Sequence, residues 1–302
     1  MSRKAIIDIG SNSIKFFVGE LAADRTITTV LDTNDIARLG EGLEQTGALR
    51  PEAMDRNARA VAGFAAQAVG LGADTVVSVG TMALRRASNS GEFLQKVRDL
   101  CGLEVRILSG EEEARLSYLA VLSALPVADG EIVVFDTGGG STEFVFGHGA
   151  RMDRRFSVDL GSVRISEQYL TGDPPLSVTE AERQIDRELA QAGVEGRPSQ
   201  LIGMGGTVTS MGAVKHRMET YDPQVIQGSI LTRADIAEQI ERYRTSTVEE
   251  RRAVIGLQPK RAEVILAGAC ILDVILQRLG AEYLTISDRG LRHGLAYDLF
   301  QS

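Results

Sequence analysis

The sequence predicts an α/β protein of two similar domains, and three observations carry that expectation. Apolar strand-like runs alternate with helical patterns along the chain instead of separating into blocks. A unit of strand, aspartate, glycine turn and strand occurs twice. The 302 residues are enough for two cores, and a composition of 43% hydrophobic and 25% charged residues is that of a globular chain.

The first copy of the repeat is AIIDIGSNSIKFFVG, residues 5–19. Asp8 ends an apolar strand, Gly10 to Ser13 turn the chain, and Phe16 lies in the returning strand. Residues 26–30 and 36–39 read as two further short strands. Pro51 at a first-turn position opens a helix to about residue 69, with Met54, Val61, Phe64 and Ala68 at helical spacing. Residues 75–79 form a buried strand followed by a loop, TMALRRASN (81–89). A helix over about 91–100 stops at Gly102, and residues 105–108 are another strand. At 109–122, Ser109 and Glu112 form a capping box, and three glutamates suit the positive end of the helix dipole. Glu111 and Glu112 can pair with Arg115 at i+4 and i+3. Glu113 has no partner of that kind, which leaves it as the glutamate able to face a cleft.

Residues 126–130 read as a boundary, so the expected domains are 1–125 and 126–302. The second copy, VVFDTGGGSTEFVFG (133–147), aligns Asp136 with Asp8, Gly138 with Gly10, Ser141 with Ser13 and Phe144 with Phe16. The repeat distance is 136 − 8 = 128 residues, that of a domain rather than a solenoid. Three consecutive glycines are costly in backbone entropy and suit a place where N–H groups crowd against phosphate oxygens. A carboxylate at the strand tip beside them suits a divalent metal bridging to those oxygens. An ordinary glycine-rich hairpin loop is the alternative account of this second copy taken alone, and the first copy weakens it. Residues 154–159 continue the three-strand pattern, and Thr179 with Glu182 and Thr232 with Asp235 signal helix starts. A strand then enters a third glycine turn, Gly205-Gly206-Thr207. The apolar stretch 264–279 suits a core helix or an interface helix. A last strand, 283–286, precedes a C-terminal helix.

Composition also excludes. The net charge of −8 argues against broad nucleic-acid or anionic-membrane binding, while leaving room for a local anion site. No apolar run approaches a membrane span, and the chain enters a strand by residue 5, so a cytoplasmic protein is expected. Cys101 and Cys270 lack metal or redox spacing, and the three histidines are scattered. Arg85, between Thr81 and Asn89 at the carboxyl end of a strand, is placed where α/β sheets bind ligands. Lys260 and Arg261 suit a helix surface better than an anion path, and Arg151, Arg154 and Arg155 suit a charge-protected strand edge.

Eight ordered segments resemble the exopolyphosphatase/guanosine pentaphosphate phosphatase family of the actin, sugar-kinase and chaperone-ATPase superfamily. They are DIGSNS (8–13), GTMALRRASN (80–89), SGEEEAR (109–115), FDTGGGSTEF (135–144), LGSVRISE (160–167), GMGGTVTS (203–210), GLQPKRAEVI (256–265) and SDRGLRHGL (287–295). The resemblance implies two ribonuclease-H-like domains with the active site in the cleft between them. It places the catalytic glutamate on Glu113 and the metal-binding acids on Asp136 and Glu143, with Asp8 a further candidate. It places phosphate contacts on Arg85, on Gly10, Ser11, Asn12 and Ser13, on Gly138, Gly139, Gly140 and Ser141, and on Gly206 and Thr207. The implied cofactor is Mg²⁺, with Mn²⁺ as substitute, and the implied substrate is inorganic polyphosphate. Short chains are expected, because the C-terminal helical domains of long family members do not follow residue 302. Guanosine pentaphosphate (pppGpp) is the alternative substrate, ppGpp an expected inhibitor, and a polyphosphate or alarmone sensor the alternative of another class. A homodimer is expected. Arg86 and His293 stand where the family often has other residues, outside the presumed chemical core.

Overall fold

The computed structural model describes residues 2–22, 26–175 and 177–301. It divides into two compact units, 1–123 together with 291–302, and 124–290.

The first unit is built on a five-stranded sheet of β1 (Arg3–Ile9), β2 (Ile14–Leu21), β3 (Ile27–Asp35), β4 (Thr75–Gly80) and β5 (Val105–Ile107), in the order β3-β2-β1-β4-β5. β1, β2 and β3 pair antiparallel, and β4 and β5 extend the sheet in parallel. The two-residue period of β1 sends Ala5, Ile7 and Ile9 to one face and Ile6 to the other. On the first face they join Met54, Ala58 and Val61 of the helix Pro51–Gly70 and Phe93 and Val97 of the helix Ser90–Cys101. On the second face Ile6, Phe17 and Val79 meet Leu116 of the helix Gly110–Leu122.

The last helix, Leu291–Gln301, belongs to this first unit, whereas the sequence assigned it to the second domain. Leu291, Leu295, Ala296 and Phe300 complete the core around Ile6 and Phe17. Gly294 permits the close crossing, since a methyl group there would lie 1.8 Å from the Leu116 carbonyl oxygen. Arg115 grips Asp298 with both Nη atoms, at 3.0 and 2.8 Å. Residues 36–39 are likewise not a strand. Their backbone is engaged elsewhere: Arg38, at φ 50°, and Gly40 donate to the turn of residues 10–13.

The second unit holds six strands, β6 (Ile132–Thr137), β7 (Thr142–His148), β8 (Arg151–Val158), β9 (Gln200–Met204), β10 (Ile230–Thr232) and β11 (Tyr283–Ile286), ordered β10-β11-β9-β6-β7-β8. β8-β7-β6-β9-β11 repeats the order β3-β2-β1-β4-β5, so the duplication seen in the turns extends to the sheets. The helix Ile265–Arg278 is a core helix, with Ile265, Leu266, Cys270, Ile271 and Ile275 all buried. Both capping bonds of Thr232 and Asp235 are present at the helix Arg233–Arg244. Arg154, on the edge strand β8, lies over the rings of Phe146 of β7 and Phe156 of β8. Among the described residues, no helix is long and apolar enough to cross a membrane.

Candidate active site

The two aspartate turns have one geometry. In the first, the Gly10 N–H donates to the Ser13 carbonyl at 3.0 Å; in the second, the Gly138 N–H donates to Ser141 at 2.9 Å. The N–H groups of Ser11, Asn12 and Ser13, and of Gly139, Gly140 and Ser141, donate to no described residue. Buried backbone donors are almost always paired, so two runs of unengaged N–H groups call for an external acceptor. Asn12 Oδ1 and Thr137 Oγ1 are buried beside the turns and likewise have no hydrogen-bond partner among the described residues.

Each turn is braced from behind. Arg38 and Gly40 donate to the carbonyls of Asn12 and Ser11 at 2.9 and 2.8 Å. In the second unit, Ser162 and Val163, at the N-terminus of the helix Ser162–Tyr169, donate to Gly138 and Gly139 at 3.1 and 2.8 Å. Those bonds occupy the turn carbonyls and leave the turn N–H groups unengaged.

What stands opposite each aspartate differs. Asp8 pairs in register with Lys15, and the ammonium lies 3.6 Å from its carboxylate. Asp136 pairs in register with Glu143, and both are buried. Ser157 Oγ donates to Glu143 Oε1 at 2.7 Å and orients it. Two buried carboxylates on neighbouring strands are repulsive on their own and fit a hard divalent cation, which Mg²⁺ sites satisfy with one or two carboxylates plus phosphate and water oxygens. Among the described residues, no group of three or more His, Cys, Asp or Glu gathers as an all-protein metal cage. The two carboxylates at Asp136 and Glu143 would suit a metal that completes its shell with phosphate and water oxygens. Asp8 fits less well, because Lys15 already answers its charge.

Glu113 is buried in the first turn of its helix, and Arg85 donates to it. The same Nη1 also donates to the Leu108 carbonyl at 2.8 Å. Glu113 thus has a partner where helical spacing gave none. Arg115 is taken by Asp298, and Glu112 pairs instead with Arg106. Arg85 sits on a five-residue helix, Met82–Arg86, rather than in a loop, and Asn89 is turned away to bond both backbone groups of Leu49.

The third glycine turn abuts the metal candidate. Gly205, at φ 95°, lies against Asp136, and a methyl group there would sit 2.6 Å from Asp136 Oδ1 and 2.5 Å from the Thr137 carbonyl oxygen. Only glycine suits that backbone at that approach. Gly206 and Thr207 begin the helix Gly206–Lys215. The Arg261 guanidinium lies over Gly206, where a methyl group would meet both Nη atoms at 2.2 Å. The motif pattern assigned Arg261 to a helix surface; it is instead packed on the turn. The signal available in sequence was Pro259, which starts a 3-10 turn, Pro259–Arg261, that ends on this arginine.

Comparison with known proteins agrees with this architecture. The model of the Ppx/GppA phosphatase family matches residues 18–302. Exopolyphosphatase 2 of Mycobacterium tuberculosis is 32% identical, with 99% of each chain covered. The crystal structure of the Aquifex aeolicus Ppx/GppA family member superposes with a TM-score of 0.84 at 32% identity, covering 99% of this chain and 98% of that one. An exopolyphosphatase structure from Cytophaga hutchinsonii gives a TM-score of 0.91 at 25% identity, covering 99% and 98%. The doubled sheet order is thus the two-domain ribonuclease-H-like architecture of those structures, and the chain belongs to the Ppx/GppA phosphatase family.

Proposed function

We propose that the protein is an exopolyphosphatase, a phosphoanhydride hydrolase that releases the terminal phosphate of inorganic polyphosphate. The observation that carries this is the pair of equivalent turns whose N–H groups have no acceptor among the described residues. A chain of phosphates supplies such acceptors repeatedly, and needs nothing else from the site.

Glu113 would accept a proton from a water molecule as the water oxygen attacks the terminal phosphorus in line and the bridging P–O bond breaks toward the remaining chain. Arg85 holds Glu113 before substrate arrives. A phosphate oxygen competing for that guanidinium would loosen the pair and expose the carboxylate to the water. Asp136 and Glu143 would hold Mg²⁺, which when bound neutralises phosphate oxygens as charge shifts in the transition state. The turn N–H groups of Gly10 to Ser13 and Gly138 to Ser141, with Gly206, Thr207 and Arg261, would hold the phosphates.

Phosphate release from short and long polyphosphate tests this, with Glu113→Gln as control. The variant keeps shape and removes the base, and a loss of roughly 10²–10⁴ in kcat is expected. A near-wild-type rate would remove Glu113 from this role, and tight polyphosphate binding by a wild type with no turnover would make the protein a sensor. Hydrolysis of the 5′ γ-phosphate of guanosine pentaphosphate is the second candidate. It is favoured by one feature, Tyr221, a 42% exposed aromatic residue in the second unit whose hydroxyl donates to Asp288; release from that nucleotide and not from polyphosphate would promote it. Short-chain preference and a cytoplasmic, homodimeric protein complete the proposal, and sedimentation of the purified chain tests the dimer.

A further inference from the structure

The brace behind the first turn includes one peptide group held from both sides, the one joining Ala37 to Arg38. Its N–H donates to the Asn12 carbonyl at 2.9 Å. Its oxygen accepts from two successive side chains of the helix Pro51–Gly70, Arg56 Nε at 2.8 Å and Asn57 Nδ2 at 2.9 Å. Bonds accepted by the oxygen polarise the amide and strengthen its N–H as a donor. Arg38 follows at φ 50°, a backbone that a residue with a side chain keeps only where its surroundings hold it. The Asn12 carbonyl in turn shares a planar peptide with the Ser13 N–H, one of the donors without an acceptor among the described residues.

Asn57 is the fully buried member of the pair on Ala37. Its amide uses both N–H donors on carbonyls, the second on Ala53 at 2.8 Å one turn back in its own helix. The flipped amide would set its oxygen against two carbonyl oxygens, so the partners fix the orientation. That oxygen has no hydrogen-bond partner among the described residues. Leucine would leave no buried acceptor unmet and has the higher helix propensity. What the amide alone supplies is the bond that leaves the helix for Ala37.

We propose that Asn57 is a positioning residue for the first phosphate turn, fixing the 37–38 peptide, through it the 12–13 peptide, and so the direction of the Ser13 N–H. This rests on the site being one for inorganic polyphosphate. Asn57 acts through two peptide groups and touches no substrate, so its loss weakens phosphate binding and spares the chemical step.

The test compares Asn57→Leu, Asn57→Ser and Val61→Ala by calorimetric binding of inorganic tripolyphosphate, steady-state phosphate release and thermal melting. Serine can still bond the Ala53 carbonyl one turn back but is too short to keep the bond to Ala37. Val61→Ala opens a cavity in the buried face of the same helix and serves as the control for lost stability. Both Asn57 variants are expected to raise Kd and KM by roughly three- to tenfold with kcat within about twofold, the pattern of lost uniform binding. Val61→Ala is expected to lower Tm while Kd and KM stay within about twofold. If Asn57→Leu does not fold, Asn57→Ser carries the comparison. Asn57 variants that bind and turn over like wild type, or a Val61→Ala that weakens binding equally, overturn the proposal. Weakened binding in the Asn57 variants, with no phosphate release by the wild type, would keep the positioning role and remove the hydrolytic reading; release with unchanged Kd and KM would do the reverse. A wild type that does not bind tripolyphosphate overturns both.

Discussion

Gly161→Ala isolates the role of the triple-glycine turn without touching any residue assigned to the chemistry. Gly161 has φ −139° and ψ 162°, an extended conformation that alanine adopts freely, so the substitution acts only through space. The new methyl carbon would lie 2.3 Å from Gly140 N and 2.4 Å from the carbonyl carbon and oxygen of Gly139, against an ordinary contact of 3.4 Å or more. The turn must therefore retreat by about 1 Å, and its bonds from Ser162 and Val163 resist that movement. Overpacking of this kind costs about 1–3 kcal/mol, which for a unit of this size lowers Tm by about 2–4 °C per kcal/mol. A displacement of that size in a phosphate-holding group costs about 10²-fold in rate. Phosphate release and a thermal melt on the same preparation read both effects. A variant that melts several degrees lower yet keeps its rate within about twofold would refute the claim that this turn holds substrate.

The remaining predictions address the metal, the first-unit cluster and a helix. Asp136→Asn is expected to weaken Mg²⁺ activation by at least about tenfold, whereas Asp8→Asn, already opposite Lys15, changes it by less than about threefold; a Mg²⁺ titration of activity separates the two. At Asp32 desolvation opposes ionisation, but hydrogen bonds from His293 and Arg292 and their charge outweigh it and hold the carboxyl well below its usual range. Its stabilisation is therefore present above the unfolded value near 3.8 and is lost as pH falls below it. Asp32→Asn should lower the urea midpoint at pH 7, and the gap to wild type should narrow at pH 3. Gly63 lies inside the helix Pro51–Gly70 with nothing within 4 Å of an added methyl group, so Gly63→Ala should raise stability by about 0.5–1 kcal/mol in the same urea assay.

The parts of this fold that sequence makes legible are those whose causes are local. The strand–aspartate–turn–strand unit is written in fifteen residues, and its period-2 apolar pattern and glycines determine both hairpins. What sequence does not show are choices made between distant residues. Helical spacing offers Arg115 two glutamates three and four residues away, yet a two-pronged grip on Asp298, 183 residues on, takes it. That pairing depends on the last helix packing over β1 and β2, which no local pattern announces. Residues 36–39 carry a strand-like apolar run, but Arg38 and Gly40 give their N–H groups to the first turn instead of to a neighbouring strand. Arg261 packs on Gly206 through a proline-started turn, a contact between distant residues that local spacing does not announce.

One position distinguishes the two copies of the turn in chemical terms. The hairpins share their closing hydrogen bond, their register and their unengaged N–H groups, so each is equally able to hold a phosphate. The residue opposite the aspartate is Lys15 in one copy and Glu143 in the other. An ammonium beside Asp8 makes that turn self-sufficient, since the acid is balanced and the lysine adds a cation for phosphate. A second carboxylate beside Asp136 gives the other turn a charge that would suit a divalent cation, and Ser157 orients Glu143 there. On the proposed reading, duplication supplies two phosphate cradles, and a change of charge at one cross-strand position suits the second to a metal. Exchanging that residue, Glu143→Lys, should abolish Mg²⁺ dependence and activity together while the fold survives. A Glu143→Lys enzyme that still required Mg²⁺ at wild-type concentration would place the metal elsewhere.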